Sequence, residues 1–171
     1  MKTWSDYKTT FRSESNLLDY ARTGDLPGLV HLVTDDPNVD LDMKNARGYS
    51  ALMLAVYNGE KDYCEALLKL GADVNSMDFM GNTVLMASAF KGNVEILNLL
   101  LQYGANTHFK NHTNMNARDW AAMFGRKEAV RFLDKNAPSI DASSKLTNML
   151  RFIQLSVLLL LGKNRKLNHP I

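Results

Sequence analysis

Two stretches of this chain repeat one another without a gap. Residues 45–77 read NARGYSALMLAVYNGEKDYCEALLKLGADVNSM and residues 78–110 read DFMGNTVLMASAFKGNVEILNLLLQYGANTHFK, 33 residues each. In that register Gly48 falls on Gly81, Ser50 on Thr83, Leu52 on Leu85, Gly59 on Gly92, Leu67-Leu68 on Leu100-Leu101 and Gly71-Ala72 on Gly104-Ala105. A period of this length constrains the fold more than composition can. One such unit cannot bury its own apolar face, so copies must stack and share a core.

A further copy starts at Asn111, with Asn114 where the first Gly stood, Ala121-Ala122 on the small-residue pair, Gly125 on the mid-repeat Gly and Phe132-Leu133 on the second apolar run. A degenerate copy precedes them all. It has Leu17, Ala21, Gly24 and Leu32-Val33 at matching places, and about two extra residues in its Asp35-Asp36-Pro37-Asn38 loop. Each recurring position has a physical use. Ser50 and Thr83 stand where an N-cap accepts from the orphan N–H groups of a first helix. Gly59 and Gly92 end that helix, because a left-handed C-cap costs least without a Cβ. A second helix follows with apolar residues at helical spacing, such as Val94, Leu97, Leu100 and Leu101, and Gly104 stops it.

These residues resemble the ankyrin repeat family over residues 15–138. The hydroxyl before the first helix, the mid-repeat glycines Gly59, Gly92 and Gly125, and the Gly71-Ala72-Asp73-Val74-Asn75 ending carry the resemblance. It implies an all-α solenoid of stacked helix-turn-helix units with β-hairpin tips, in copies at about 15–44, 45–77, 78–110 and 111–138. An N-terminal capping helix over 1–14 and a C-terminal apolar helix with a basic tail over 139–171 would flank it. The family's threonine-proline-leucine-histidine segment is here Ser50-Ala51-Leu52-Met53 and Thr83-Val84-Leu85-Met86, so methionine packing is expected to replace the histidine. In the fourth copy Arg118 and Asp119 replace an apolar pair, which suits a terminal unit. Asn114 replaces a Gly, and Asn tolerates positive φ.

Outside the repeat, Trp4, Tyr7 and Phe11 fall on one helical stripe, read as a cap over the first copy. From Leu146 to Leu161 runs an apolar segment about 24 Å long as a helix, too short to cross a bilayer's apolar core of about 30 Å. Leu146, Met149, Leu150, Ile153, Val157 and Leu160 form a stripe that suits a cap on the last copy. Phe152, Leu155, Leu158 and Leu159 form a second stripe that needs another cover, either a second copy of the chain, a partner or a membrane surface.

The 20 basic and 18 acidic residues nearly cancel, which gives no bulk case for nucleic acid or membrane. The single cysteine, Cys64, sits in an apolar stretch and reads as core. The N-terminal residues have no apolar run of the secretory kind. A cytoplasmic location is therefore expected, or a secreted or translocated one if a signal has been removed.

No enzyme, metal site or cofactor is expected. Among the four histidines, His31, His108, His112 and His169, only His108 and His112 are close, and they fall in a loop without neighbouring cysteine or clustered carboxylate. The glycines recur at the repeat period rather than in a phosphate loop. The Asn111-His112-Thr113 sequon is discounted.

The resemblance implies binding of another protein through the hairpin tips and the exposed face of the first helices. The corresponding positions are Arg22 and Thr23 in the first copy, then Ala46, Arg47, Tyr49, Tyr57 and Asn58 in the second. The third copy offers Phe79, Met80, Asn82, Phe90 and Lys91, and the fourth His112, Thr113, Met115, Met123 and Phe124. Eight of these are aromatic or methionine, types enriched in interface cores. They are expected to have no packing role in the repeat core, whereas Trp120 is read as packing.

Overall fold

A computed structural model describes residues 16–136. The capping helix expected over 1–14 and the apolar helix and tail over 139–171 lie outside the described residues. The chain divides into two units, Met1–Lys135 and Asn136–Ile171, and the description below concerns the first.

Among the described residues the fold is all-α, with eight helices in pairs. These are α1 (Asn16–Thr23) with α2 (Leu26–Asp35), α3 (Ala51–Asn58) with α4 (Lys61–Lys69), α5 (Val84–Lys91) with α6 (Val94–Gln102), and α7 (Ala117–Met123) with α8 (Lys127–Asn136). The expected caps form. Ser50 Oγ accepts from the Met53 N–H at 3.3 Å and Thr83 Oγ1 from the Met86 N–H at 3.2 Å. Gly59 and Gly92 close α3 and α5 with φ of 82° and 76°, where a side chain would be strained. The second helices start on Asp25 and Asn93, whose side chains accept from Gly28 at 2.9 Å and Ile96 at 3.1 Å.

The first helices form an inner row in which α1 packs on α3, α3 on α5 and α5 on α7, and α2, α4 and α6 form an outer row beside it. The core runs through the inner row. Residues 51–56 of α3 and 84–89 of α5 are all buried, as expected of helices apolar on every side. Met53 and Met86 are wholly enclosed, and the Thr83 N–H donates to Met86 Sδ at 3.5 Å. Methionine thus supplies bulk and one weak acceptor at the histidine's position. In α6 the buried face is Ile96, Leu97, Leu99 and Leu100, and Val94 and Leu101 are half-buried at its margin.

The hairpins are shorter than strands. Each of two has one antiparallel bridge, Lys44 to Ser50 and Met77 to Thr83. Their shape comes from side chains at the same register position. Asn45 Oδ1 accepts from the N–H groups of Arg47 and Tyr49 at 2.9 and 3.0 Å, and Asp78 Oδ1 from those of Met80 and Asn82 at 2.8 Å each. Asn111 does the same for Thr113 and Met115 at 3.1 and 3.0 Å. Further bonds tie one copy to the next: Asp73 N–H to Asp42 Oδ1 and Asn106 N–H to Asn75 Oδ1, both 2.8 Å.

In the fourth copy, Asn114 has a φ of 61°, and Asn116 and Asp119 cap α7 reciprocally. Arg118 turns outward and pairs with Asp134 of α8. The lost apolar pair is thus used for capping and for tying the last two helices together.

Candidate protein-binding surface

Because inner helices stack in register, residues 33 positions apart stand side by side. Tyr57 is followed by Phe90 and Met123, Asn58 by Lys91 and Phe124, and Leu54 by Ala87 and Trp120. The rings meet. Centroids lie 5.6 Å apart for Tyr49–Tyr57, 6.3 Å for Tyr57–Phe90, 4.6 Å for Phe90–Phe124, 6.1 Å for Phe90–Trp120 and 5.6 Å for Trp120–Phe124. These separations are those of favourable edge-to-face and tilted pairs. Five rings from three copies therefore form one continuous strip, half-buried at Tyr49, Tyr57, Phe90 and Trp120 and 41% exposed at Phe124. Burial, with Tyr49 and Asp78 adding to it, pushes the Tyr57 hydroxyl up to about 12, so it stays a neutral donor.

Trp120 packs against the core as expected, and it also completes the strip. Its Nε1–H is buried without a hydrogen-bond partner among the described residues. An unmet donor of this kind is costly. The signal that Trp120 belongs with the strip was its position one turn before Phe124.

The tips are both exposed and packed. Phe79 is 64% and Met80 57% exposed. Yet Phe79 lies so close to the previous tip that a Cβ on Gly48 would stand 2.7 Å from its backbone nitrogen and 2.9 Å from its ring. His112 sits likewise on Gly81, and its N–H donates to the Met80 carbonyl at 3.0 Å. The expectation that such positions lack a packing role is corrected at Phe79, His112, Tyr49 and Tyr57. Thr23, Arg47, Asn58, Lys91, His112 and Met123 are exposed, and Met115 is half-buried. Arg22 is half-buried and paired with Asp19 at 2.7 Å.

Asn82 is the exception. It is only 8% exposed, donates from Nδ2 to Asp78 Oδ2 at 2.8 Å and accepts from Asn111 Nδ2 at 2.7 Å. Its expected place on the binding surface is corrected, because burying Asp78 demands donors and Asn82 supplies one. The same network occupies the Asn111 amide nitrogen, the atom a glycan would need. Among the described residues no three His, Cys, Asp or Glu side chains gather as a metal site. Cys64 is buried, and burial pushes its thiol up to about 12, which leaves it protonated and inert.

The family model described as ankyrin repeats (3 copies) matches residues 17–111 and 80–145. Over 55 residues the chain is 42% identical to ankyrin repeat domain-containing protein 29 of Danio rerio, a match covering 32% of this chain. It spans 18% of that relative's length. Ankyrin repeats are in general protein–protein interaction modules and typically non-catalytic. With repeats matched over most of its length, a capped helix-pair stack and interlocked tips, this chain belongs to the ankyrin repeat family.

Proposed function

We propose that this chain is a non-catalytic adaptor, scaffold or protein inhibitor that holds a partner protein against its inner helices and hairpin tips. The five-ring strip of Tyr49, Tyr57, Phe90, Trp120 and Phe124 carries the reading. Large half-exposed rings, already ordered against one another, lose little freedom on binding and bury much apolar area. Phe79, Met80 and Met123 widen the same apolar surface, while Arg47, Asn58, Lys91, His112 and Met115 supply its margin.

A non-catalytic role is supported by how polar side chains are used. Ser50, Thr83, Asp25, Asn93 and Asn116 cap helices, and Asn45, Asp78 and Asn111 shape turns. The test is affinity capture of a partner from cells of the source organism, followed by pull-down with Tyr57, Phe90 and Phe124 changed to Ala. A loss of about 2 kcal/mol or more is expected if one of them is a hot spot. Undiminished retention by a variant with wild-type circular dichroism would sink the reading.

A further inference from the structure

The charges around the strip are unevenly distributed. On the outer and terminal faces, cations and anions pair off: Lys61 with Glu95 at 3.2 Å, Lys69 with Glu65 at 2.6 Å, Arg131 with Glu128 at 2.7 Å, and Arg118 with Asp134. At the two ends of the strip, cations outnumber the acids beside them. A cleft of about 340 Å³ at the first-copy end is lined by Arg22, Arg47 and Tyr49, together with Asn45, Ala46 and Leu54. Beyond Phe90 a second cleft, of about 320 Å³, is lined by Lys91, Arg126 and Lys127, with Glu128 on its wall.

The acids nearby are mostly committed. Asp19 is bound to Arg22, Asp78 is enclosed by backbone and amide donors, and Glu128 faces Arg131. Glu60 lies against Gly24 at the edge of the first two copies. Arg126 donates from Nε to the Phe90 carbonyl at 2.8 Å, which fixes a guanidinium beside the strip. The side chains of Arg47 and Lys91 form no ion pair among the described residues. An aromatic strip flanked by Arg47 at one end and by Lys91 and Arg126 at the other is complementary to a chain with the opposite arrangement.

From this we infer that the segment seated on the inner face is an acidic peptide, with an apolar or aromatic residue on the ring strip and carboxylates at Arg47 and at the Lys91–Arg126 cleft. The inference rests on reading the inner face as the binding surface. Arg47 presents a planar guanidinium suited to carboxylate, while Arg22 beside it is held by Asp19 at 2.7 Å.

The experiment is selection of a random peptide library displayed on phage against the full chain, followed by fluorescence anisotropy of the enriched peptides. Enriched peptides are expected to be net acidic with an apolar residue between carboxylates, and to bind more weakly as salt is raised. In an Arg47→Glu, Lys91→Glu variant they should lose affinity by about tenfold or more, with the thermal melt unchanged because both side chains are exposed. Neutral or basic peptides that still require Phe90 and Phe124 would overturn the acidic assignment and leave the binding surface intact. Peptides indifferent to Phe90→Ala and Phe124→Ala, or no enrichment at all, would overturn both. Displacement of the peptides by a single-stranded oligonucleotide of equal affinity would make the face a general polyanion surface and overturn the assignment.

Discussion

Helices α5 and α7 occupy the same place in successive copies and are built differently. Leu85, Met86 and Ala89 of α5 are fully or almost fully buried, whereas their counterparts 33 residues on are Arg118, Asp119 and Ala122. Ala89 and Ala122 are the same residue type, one enclosed and the other exposed. The difference is in neighbours. Helix α5 lies between α3 and α7, while among the described residues α7 has an inner helix on one side only. Enclosure in a repeat stack is thus a property of position along the stack, and the sequence of each copy is fitted to it.

The largest test of that contrast is truncation of the enclosed side. Leu85→Ala should cost about 2–5 kcal/mol in urea denaturation, whereas Arg118→Ala should barely move the midpoint. Equal losses would mean the fourth copy is as enclosed as the third. A second test contrasts Asn82 with Met115, its counterpart. Asn82→Leu leaves Asp78 Oδ2 and Asn111 Nδ2 without their partner and should cost about 1–3 kcal/mol, while Met115→Leu should be nearly silent in the same thermal melt.

At the tips, Gly81→Ala forces a side chain to a φ of 75° and against His112, with an expected loss of about 1–2 kcal/mol. Asn114→Gly should leave stability unchanged or raise it slightly, because φ there is 61°. A further effect concerns alkali and the second copy. Cys64 and Tyr57 have folded values of about 12, above their ordinary 9.0 and 10.0. The unfolded chain therefore loses protons first, and stability should be complete below about pH 9 and fall between about pH 9 and 12. The loss should be of the order of 1 kcal/mol by about pH 10. Cys64→Ala should flatten that slope in pH-resolved urea melts, and an unchanged slope would place the titration elsewhere.

The period exposed the fold because each recurring residue acts locally. A hydroxyl caps the helix that follows it, and a glycine takes the left-handed turn at each recurring position. The same logic marked Tyr57, Phe90 and Phe124, which sit just before a mid-repeat Gly or beside it. It misplaced Asn82. The hairpin position is half-buried in Tyr49 and Met115, but Asn82 turns fully inward because its neighbour Asp78 is a buried carboxylate in need of donors. It also undervalued Trp120, whose part in the strip depends on the ring of Phe90 from another copy.

The sequence by itself determined the repeat period, the helix ends and the turns, since caps and turns depend on interactions within a few residues. Only the tertiary structure decided which side chains meet across copies. The ring strip, the tip stacking of Phe79 on Gly48 and the Asp78–Asn82–Asn111 network each join residues about thirty positions apart. Their geometry depends on how closely the copies pack, and no single copy encodes that distance.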